Sequence, residues 1–286
     1  MFKSAVGAVI CNCETYIQEW CCFQHLTGFD RIYICLDRCT DNTFNKIDGL
    51  PYEVREKMDV FMNSPHIDGC GFQYRGMQHI YDRCKGEVEW LAMFDDDEYL
   101  FDHKQRKIND LLEDIPGDVG QVLLPWIKFT HSNQMLSATP DITRLKHFTI
   151  KENHQRVECK AIVRLDNIVF NDIKAGWYHC HYADVSGREV TFDGKDCSRI
   201  ENPCQIVAEH FDTCLAHYVH GAMEDYVNKH KKWRGEKLGY TIPLPVEQVA
   251  QTVKNFVIAA THNNTEDTRM SVYADELIQL LSQCKK

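Results

Sequence analysis

Residues 89–98 read EWLAMFDDDE, an apolar run that closes abruptly in four acids. The apolar part, 89–94, has the length and composition of a buried strand. Ligand sites in open α/β sheets lie at the carboxyl ends of strands, and that is where these acids fall. The next residues, Tyr99-Leu100-Phe101, are again apolar, so the acidic turn is pinned between two buried segments. Asp95 and Asp97, one residue apart, can aim at one point where the backbone turns, and a hard divalent cation is the usual reason to hold two carboxylates so close. A solvated acidic turn has the same residues and stands as the plain alternative.

Working outward, 4–10 (SAVGAVI) reads as a strand, 16–26 as a helix and 31–36 (RIYICL) as a second strand closed by turn and capping residues. Strand, helix, strand predicts a βαβ unit and a parallel sheet. A helix over 74–84 leads into the strand before the acids. Further strands are expected at 119–125 and 161–165, and from 204 to 233 the pattern turns helical. After Gly235 the segment TIPLPVEQ reads as a linker, followed by helical stretches over 246–260 and 265–283. The expectation is therefore an α/β protein: residues 1–235 form a domain with a mostly parallel central sheet flanked by helices, and 236–286 a C-terminal helical extension for packing or oligomer contact.

With 286 residues, 44% hydrophobic and 26% charged, the chain can bury one large core, with or without an appendage. It contains no run of roughly 18 apolar residues, and its start, MFKSAVGAVICNCETY, reaches Cys and Glu before a signal-peptide core could form. A cytoplasmic protein without a membrane span is expected. The 14 cysteines lack zinc-site spacing and are expected to be free thiols. A net charge of −10 opposes a phosphate backbone, so no nucleic-acid partner is expected without a local basic patch, whereas a single nucleotide held through a metal is compatible.

The stretch Trp90-Leu91-Ala92-Met93-Phe94-Asp95-Asp96-Asp97-Glu98-Tyr99-Leu100 resembles the W-hydrophobic-D-x-D-E-F-hydrophobic signature of glycosyltransferase family 92 and its bacterial and viral relatives, within the GT-A, family 2-like superfamily. Two more segments are similar to that group. Asn12 and Glu14, then Glu19-Trp20, His25, Gly28 and Tyr33 through Thr43, match its opening motif. His217-Tyr218, Glu224-Asp225-Tyr226, Lys229 and Gly235 match its closing motif. The three occur in the right order over about residues 6–235. Cysteines in the opening motif, Ala216 and Gly221 depart from the group's usual residues.

The resemblance implies a GT-A fold and a hexosyltransferase that uses Mn2+ or Mg2+, takes a UDP- or GDP-sugar, and delivers the sugar to a glycan hydroxyl, with inversion. A cytoplasmic microbial or viral enzyme is the implied setting. On this reading Asp97 ligates the ion and Asp95 contacts it or the donor's ribose. Asp37, closing the second strand, grips nucleoside and ribose unless it only caps a helix, with Asn12 and Glu14 beside it. A third metal ligand in such enzymes is often a histidine of the later half. Residues 177–181 (WYHCH) offer His181 first and His179 second, alternating as on a strand. His217 and Lys229 reach the diphosphate. Trp126 and Phe129, in the loop 125–141, are aromatics on which an acceptor sugar would stack. Asp141 is the first candidate for the base that takes the acceptor's proton and Glu158 the next, although Asp141 is equally suited to capping a helix.

Two rivals follow from the same residues. A metal-dependent nucleotidyltransferase would want a glycine-rich basic phosphate loop near the N-terminus, which is missing. A catalytically degenerate carbohydrate- or nucleotide-binding protein of the same fold would keep the architecture without the chemistry.

Overall fold

The computed structural model describes residues 1–63, 72–153, 156–178, 181–195, 205–207, 211–226, 250–251, 253–254, 256 and 264–285. The first half runs β1 (Phe2–Ile10), α1 (Ile17–Leu26), β2 (Arg31–Leu36), α2 (Thr43–Asp48), α3 (Tyr52–Arg55), β3 (Met58–Met62), α4 (Phe72–Cys84), β4 (Val88–Met93), β5 (Glu98–Asp102), α5 (Ile108–Glu113) and β6 (Val119–Lys128). The second half continues with α6 (Thr143–His147), β7 (Ile150–Glu152), β8 (Arg156–Arg164), α7 (Ile173–Gly176), β9 (Trp177–Tyr178), β10 (Tyr182–Ala183), β11 (Arg188–Val190), β12 (Gln205–Val207), β13 (Thr213–His217), β14 (Asn264–Glu266) and a C-terminal helix, Ala274–Leu281.

The class is α/β, as the sequence implies. The main sheet has the strand order β3-β2-β1-β4-β8-β6-β13-β5, with β11 added to β6 and β12 to β8. Strands β3, β2, β1 and β4 run parallel, β8 runs antiparallel between β4 and β6, and β13 is parallel to β6 and antiparallel to β5. Alternate residues of the parallel strands feed two cores. Trp90 and Ala92 face the side carrying Trp20 and Phe23 of α1, whereas Leu91 and Met93 face the side carrying Met77 and Ile80 of α4. Burial on both faces explains why these strands read as nearly continuous apolar runs. Helix α4 lies close against β1 because of Gly76: a Cβ there would sit 2.6 Å from Val9 Cγ2.

The later half departs from expectation. Residues 213–217 within the expected helical stretch form strand β13, buried at every residue, and 205–207 form β12. A strand covered on both faces has no period to distinguish it from a buried helix. In the expected final helix, 264–266 instead pair with β7 as β14, and only Ala274–Leu281 is α-helical. Strand β6 continues through Pro125 to Lys128, so the expected loop begins later. Most of 236–263, including the linker and the first helical stretch of the tail, lies outside the described residues. Leu277, Leu280 and Leu281 of the C-terminal helix belong to the same core as α1, and Lys285 N donates to Gly49 O. Among the described residues no helix is long and apolar enough to cross a membrane.

Candidate functional site

The acids occupy a tight turn between β4 and β5, at the carboxyl edge of the parallel strands. Its backbone is tied to three elements. Phe94 N donates to Gly7 O of β1, Tyr218 N to Asp97 O, and Arg144 Nη1 to Asp96 O at 2.7 Å. The turn closes on itself through Asp95 N, which donates to Glu98 Oε2 at 2.8 Å. Register then imports a histidine: His217, the last residue of β13, lies opposite Glu98 of β5 and Lys128 of β6. Its Nε2 is 3.3 Å from Asp97 Oδ1, and both side chains are buried.

Lys160 of β8 enters the cluster from below. Its side chain is 1% exposed, and its Nζ lies 2.9 Å from Asp95 Oδ2 and 3.0 Å from Glu98 Oε2. Burial alone would raise the Asp95 carboxyl, but the adjoining ammonium outweighs it and holds Asp95 below the ordinary carboxylate range. Glu98 is fully buried, and burial pushes it up to about 8 despite the same ammonium.

Trp126 of β6 forms one wall. Its ring centroid is 4.3 Å from that of His217 and 4.9 Å from that of His181. His181 Nδ1 is 2.9 Å from Cys159 O. A carbonyl can only accept, so Nδ1 carries the proton and Nε2 the lone pair. Burial, then Lys160, pulls the His181 pKa down to about 4, so the ring is neutral at pH 7. Three buried polar atoms along this wall have no hydrogen-bond partner: Trp126 Nε1, Glu98 Oε1 and His217 Nδ1. Glu158 sits two residues before Lys160 on β8, half-buried, with its carboxylate 2.6 Å from Lys128 Nζ.

The opening-motif residues gather at the neighbouring strand ends. Asp37, 1% exposed, follows β2 and binds Arg38 Nε at 2.9 Å and Asn63 Nδ2 at 2.9 Å. Asn12, in the left-handed region at φ 51°, accepts from Thr40 N at 2.7 Å, and Glu14 accepts from Asn42 N at 3.0 Å. Asn12 and Glu14 thus clasp the loop after β1 to the loop after β2. Between that corner and the acids, Gly7, Val9, Gln73, Met77 and Asp95 line a shallow depression of about 190 Å³ counted with its open mouth.

No protein-family model matches this chain. No curated protein matches it either. Among solved structures it is similar to S. aureus TarS 1-349 in complex with UDP, at 14% identity over 90% of this chain and 71% of that one, with a TM-score of 0.38. It is also similar to the galactosyltransferase LgtC in complex with donor and acceptor sugar analogues, at 12% identity over 86% and 99% of the two chains and a TM-score of 0.36. A mycobacterial protein aligns at 14% identity over 44% of this chain and 41% of its own length, with a TM-score of 0.30. This chain thus spans less than half of that protein.

Asp95, Asp97, His217, His181 and Glu158 come together around Trp126 and Lys160. Asp141 does not join them through any described contact: it is exposed, in a turn, and the residue that caps α6 is Ile142. His179 and Lys229 lie outside the described residues. Residues 177–178 and 182–183 pair antiparallel as β9 and β10, so one continuous alternation does not set where His181 points. Phe129 is buried and stacked on Tyr218 at 4.9 Å between centroids, so it presents no face to a ligand. Among the described residues no group of three or more His, Cys, Asp or Glu side chains is gathered for a metal ion.

Sequence reasoning missed Lys160, a buried cation inside a strand with no motif around it, and Arg144. The Arg144 guanidinium lies 3.5 Å above the Tyr16 ring, and its backbone N donates to both Glu19 oxygens at 3.1 Å. Thr143, at φ 59°, turns the chain so that this N faces Glu19. The closing-motif acids act on the 131–142 loop: Asp225 accepts from Tyr16 Oη and Ser137 Oγ, and Glu224 from Ser137 N.

Proposed function

We propose that the protein is a metal-dependent hexosyltransferase of GT-A type, moving a sugar from a UDP- or GDP-sugar to a glycan hydroxyl with inversion at the anomeric carbon. The observation that carries this reading is the Asp97–His217 pair at the carboxyl edge of the sheet, with Asp95 on the same turn. The spacing of this one pair is compatible with two ligands of a single divalent ion. Two ligands about 2.1 Å from one ion stand roughly 3.0–3.4 Å apart, and the 3.3 Å between Asp97 Oδ1 and His217 Nε2 lies in that interval. The lone pair on His181 Nε2 belongs to the tautomer a metal-binding imidazole adopts when its other nitrogen donates to a carbonyl.

Asp97 and His217 would hold Mn2+ or Mg2+, with Asp95 on the ion or the donor ribose and His181 as a further ligand. When bound, the ion supplies neutralisation of the charge that grows on the leaving diphosphate. Asp37 receives the nucleoside at the neighbouring strand ends, backed by the Asn12–Glu14 clasp, and Lys229 adds charge for the diphosphate. Glu158 is the better of the two candidate bases, because it shares the strand face of Lys160. As the acceptor oxygen bonds to the anomeric carbon and the bond to the diphosphate breaks, the acceptor's proton passes to the Glu158 carboxylate. Asp141 remains the candidate on the acceptor loop.

A thermal-shift screen of UDP, GDP, CDP and dTDP, each with and without Mn2+, tests this. One nucleotide should raise Tm only with metal, and Asp97→Ala should abolish the rise. No metal-linked shift at saturating nucleotide would favour the degenerate binding protein instead.

A further inference from the structure

Three thiols meet where the C-terminal helix packs on α1. Cys21 and Cys22 are consecutive on α1 and fully buried, and Cys284 is half-buried in the bend that follows Ala274–Leu281. That bend is tied down on both sides: Cys284 N donates to Leu281 O at 3.0 Å and Lys285 N to Gly49 O at 2.8 Å. Consecutive helix residues point about 100° apart, and it is Cys22 whose thiol hydrogen-bonds to the Cys284 sulfur. This bond, helped by the Lys46 ammonium, holds Cys284 below the ordinary thiol range against the opposing effect of burial. The same bond, and then burial, pushes Cys22 up. A partly exposed thiol beside a buried partner is the arrangement of an attacking and a resolving cysteine.

We propose that Cys284 and Cys22 are a peroxide-sensitive pair whose disulfide locks the segment after the C-terminal helix onto α1. The oxidant is a hydroperoxide. The Cys284 sulfur attacks one peroxide oxygen, the O–O bond breaks, and hydroxide leaves and is protonated to water, which makes Cys284 a sulfenic acid. The Cys22 sulfur then attacks the Cys284 sulfur, the S–O bond breaks, and the departing hydroxyl takes the Cys22 proton as a second water. The two thiols are oxidised by two electrons in all, and the peroxide is reduced to two waters. A dithiol reductant reverses the bond. The lock bears on the acidic turn through α1, because Trp20 Nε1 and Gln24 Nε2 donate to Glu98 O at 3.1 and 3.3 Å, and Glu19 accepts from Arg144 N. It operates whatever reaction that turn serves.

The test treats the intact, fully reduced protein with hydrogen peroxide, blocks the remaining thiols, and maps the 14 cysteines by non-reducing peptide mass spectrometry. Peptides holding Cys22 and Cys284 should be recovered joined, lighter by the mass of two hydrogens. The oxidised protein should melt higher than the reduced one by about 5 °C or more, and dithiothreitol should reverse the rise. Cys284→Ser should give neither the linked peptide nor the rise. Cys22→Ala should leave Cys284 as a sulfenic acid that dimedone labels; if that variant does not fold, dimedone labelling of wild-type Cys284 in the first moments of oxidation reads the same intermediate. Cys284 recovered as a thiol, or joined to Cys21 or any other cysteine, overturns the pair. A Cys22–Cys284 bond with no rise in Tm overturns the lock.

Discussion

His217 faces Glu98 across the β5–β13 pair, and that register puts its Nε2 3.3 Å from Asp97 Oδ1. The acidic turn thus acquires an imidazole from a strand far away in sequence, fixed by backbone hydrogen bonds rather than by a loop. His217→Ala should lower Mn2+ affinity in the presence of nucleotide by roughly 10–100-fold or more while leaving the fold intact, because loss of a ligand costs at least as much as loss of the groups that support one. Mn2+ EPR titration and circular dichroism of the same sample check both halves.

Arg144 anchors the middle of the acidic turn through Asp96 O and is itself held by Glu19 and Tyr16. Arg144→Met removes that anchor and leaves the buried Glu19 without its cation. The expected loss is about 3 kcal/mol of stability by urea denaturation, with weaker Mn2+ binding in the molecules that remain folded. A variant as stable as wild type would show that the turn holds itself.

Glu19 carries a pH signature. Burial raises it to about 7 from an ordinary 4.5, against the opposing pull of Arg144. The folded protein then keeps a proton that the unfolded chain releases, so stability from this group is complete below about pH 4.5 and declines as pH rises through 7. The slope is at most about 1.4 kcal/mol per pH unit. Glu19→Gln lacks this group, so the stability of wild type relative to the variant should fall over that window and level off above it. Urea titrations at half-unit intervals measure the difference directly.

Gly76 sets the distance between α4 and β1, and α4 carries Gln73 to Asp95. Gly76→Ala should cost about 1–3 kcal/mol, because the new methyl meets Val9 Cγ2 and Cγ1 within the tightly packed core and outweighs the better helix propensity of alanine. Thermal melting of the variant reads this cost.

The N-terminal half was legible because its strands are short apolar runs that end in chemistry. The strand predicted at 31–36 matches β2, and that at 89–94 differs from β4 by one residue at each end. The acidic turn fell where strand ends hold ligands. The later half is harder to read because β13 is buried throughout and has no period, so the stretch that holds His217 reads as a helix even though its motif stands out. Lys160 and Arg144 left no local trace: a lysine among apolar strand residues reads as a solvent-facing position until the neighbouring strand's acids are known. The pairing of β4 with β8 supplies them.

The most direct measurement is an anomalous-difference map at the manganese edge from crystals soaked with Mn2+ and the nucleotide selected by thermal shift. The account predicts one strong peak within bonding distance of an Asp97 carboxylate oxygen and His217 Nε2, bridged to the diphosphate. A nucleotide bound without a peak there, or a peak on other side chains, would contradict it.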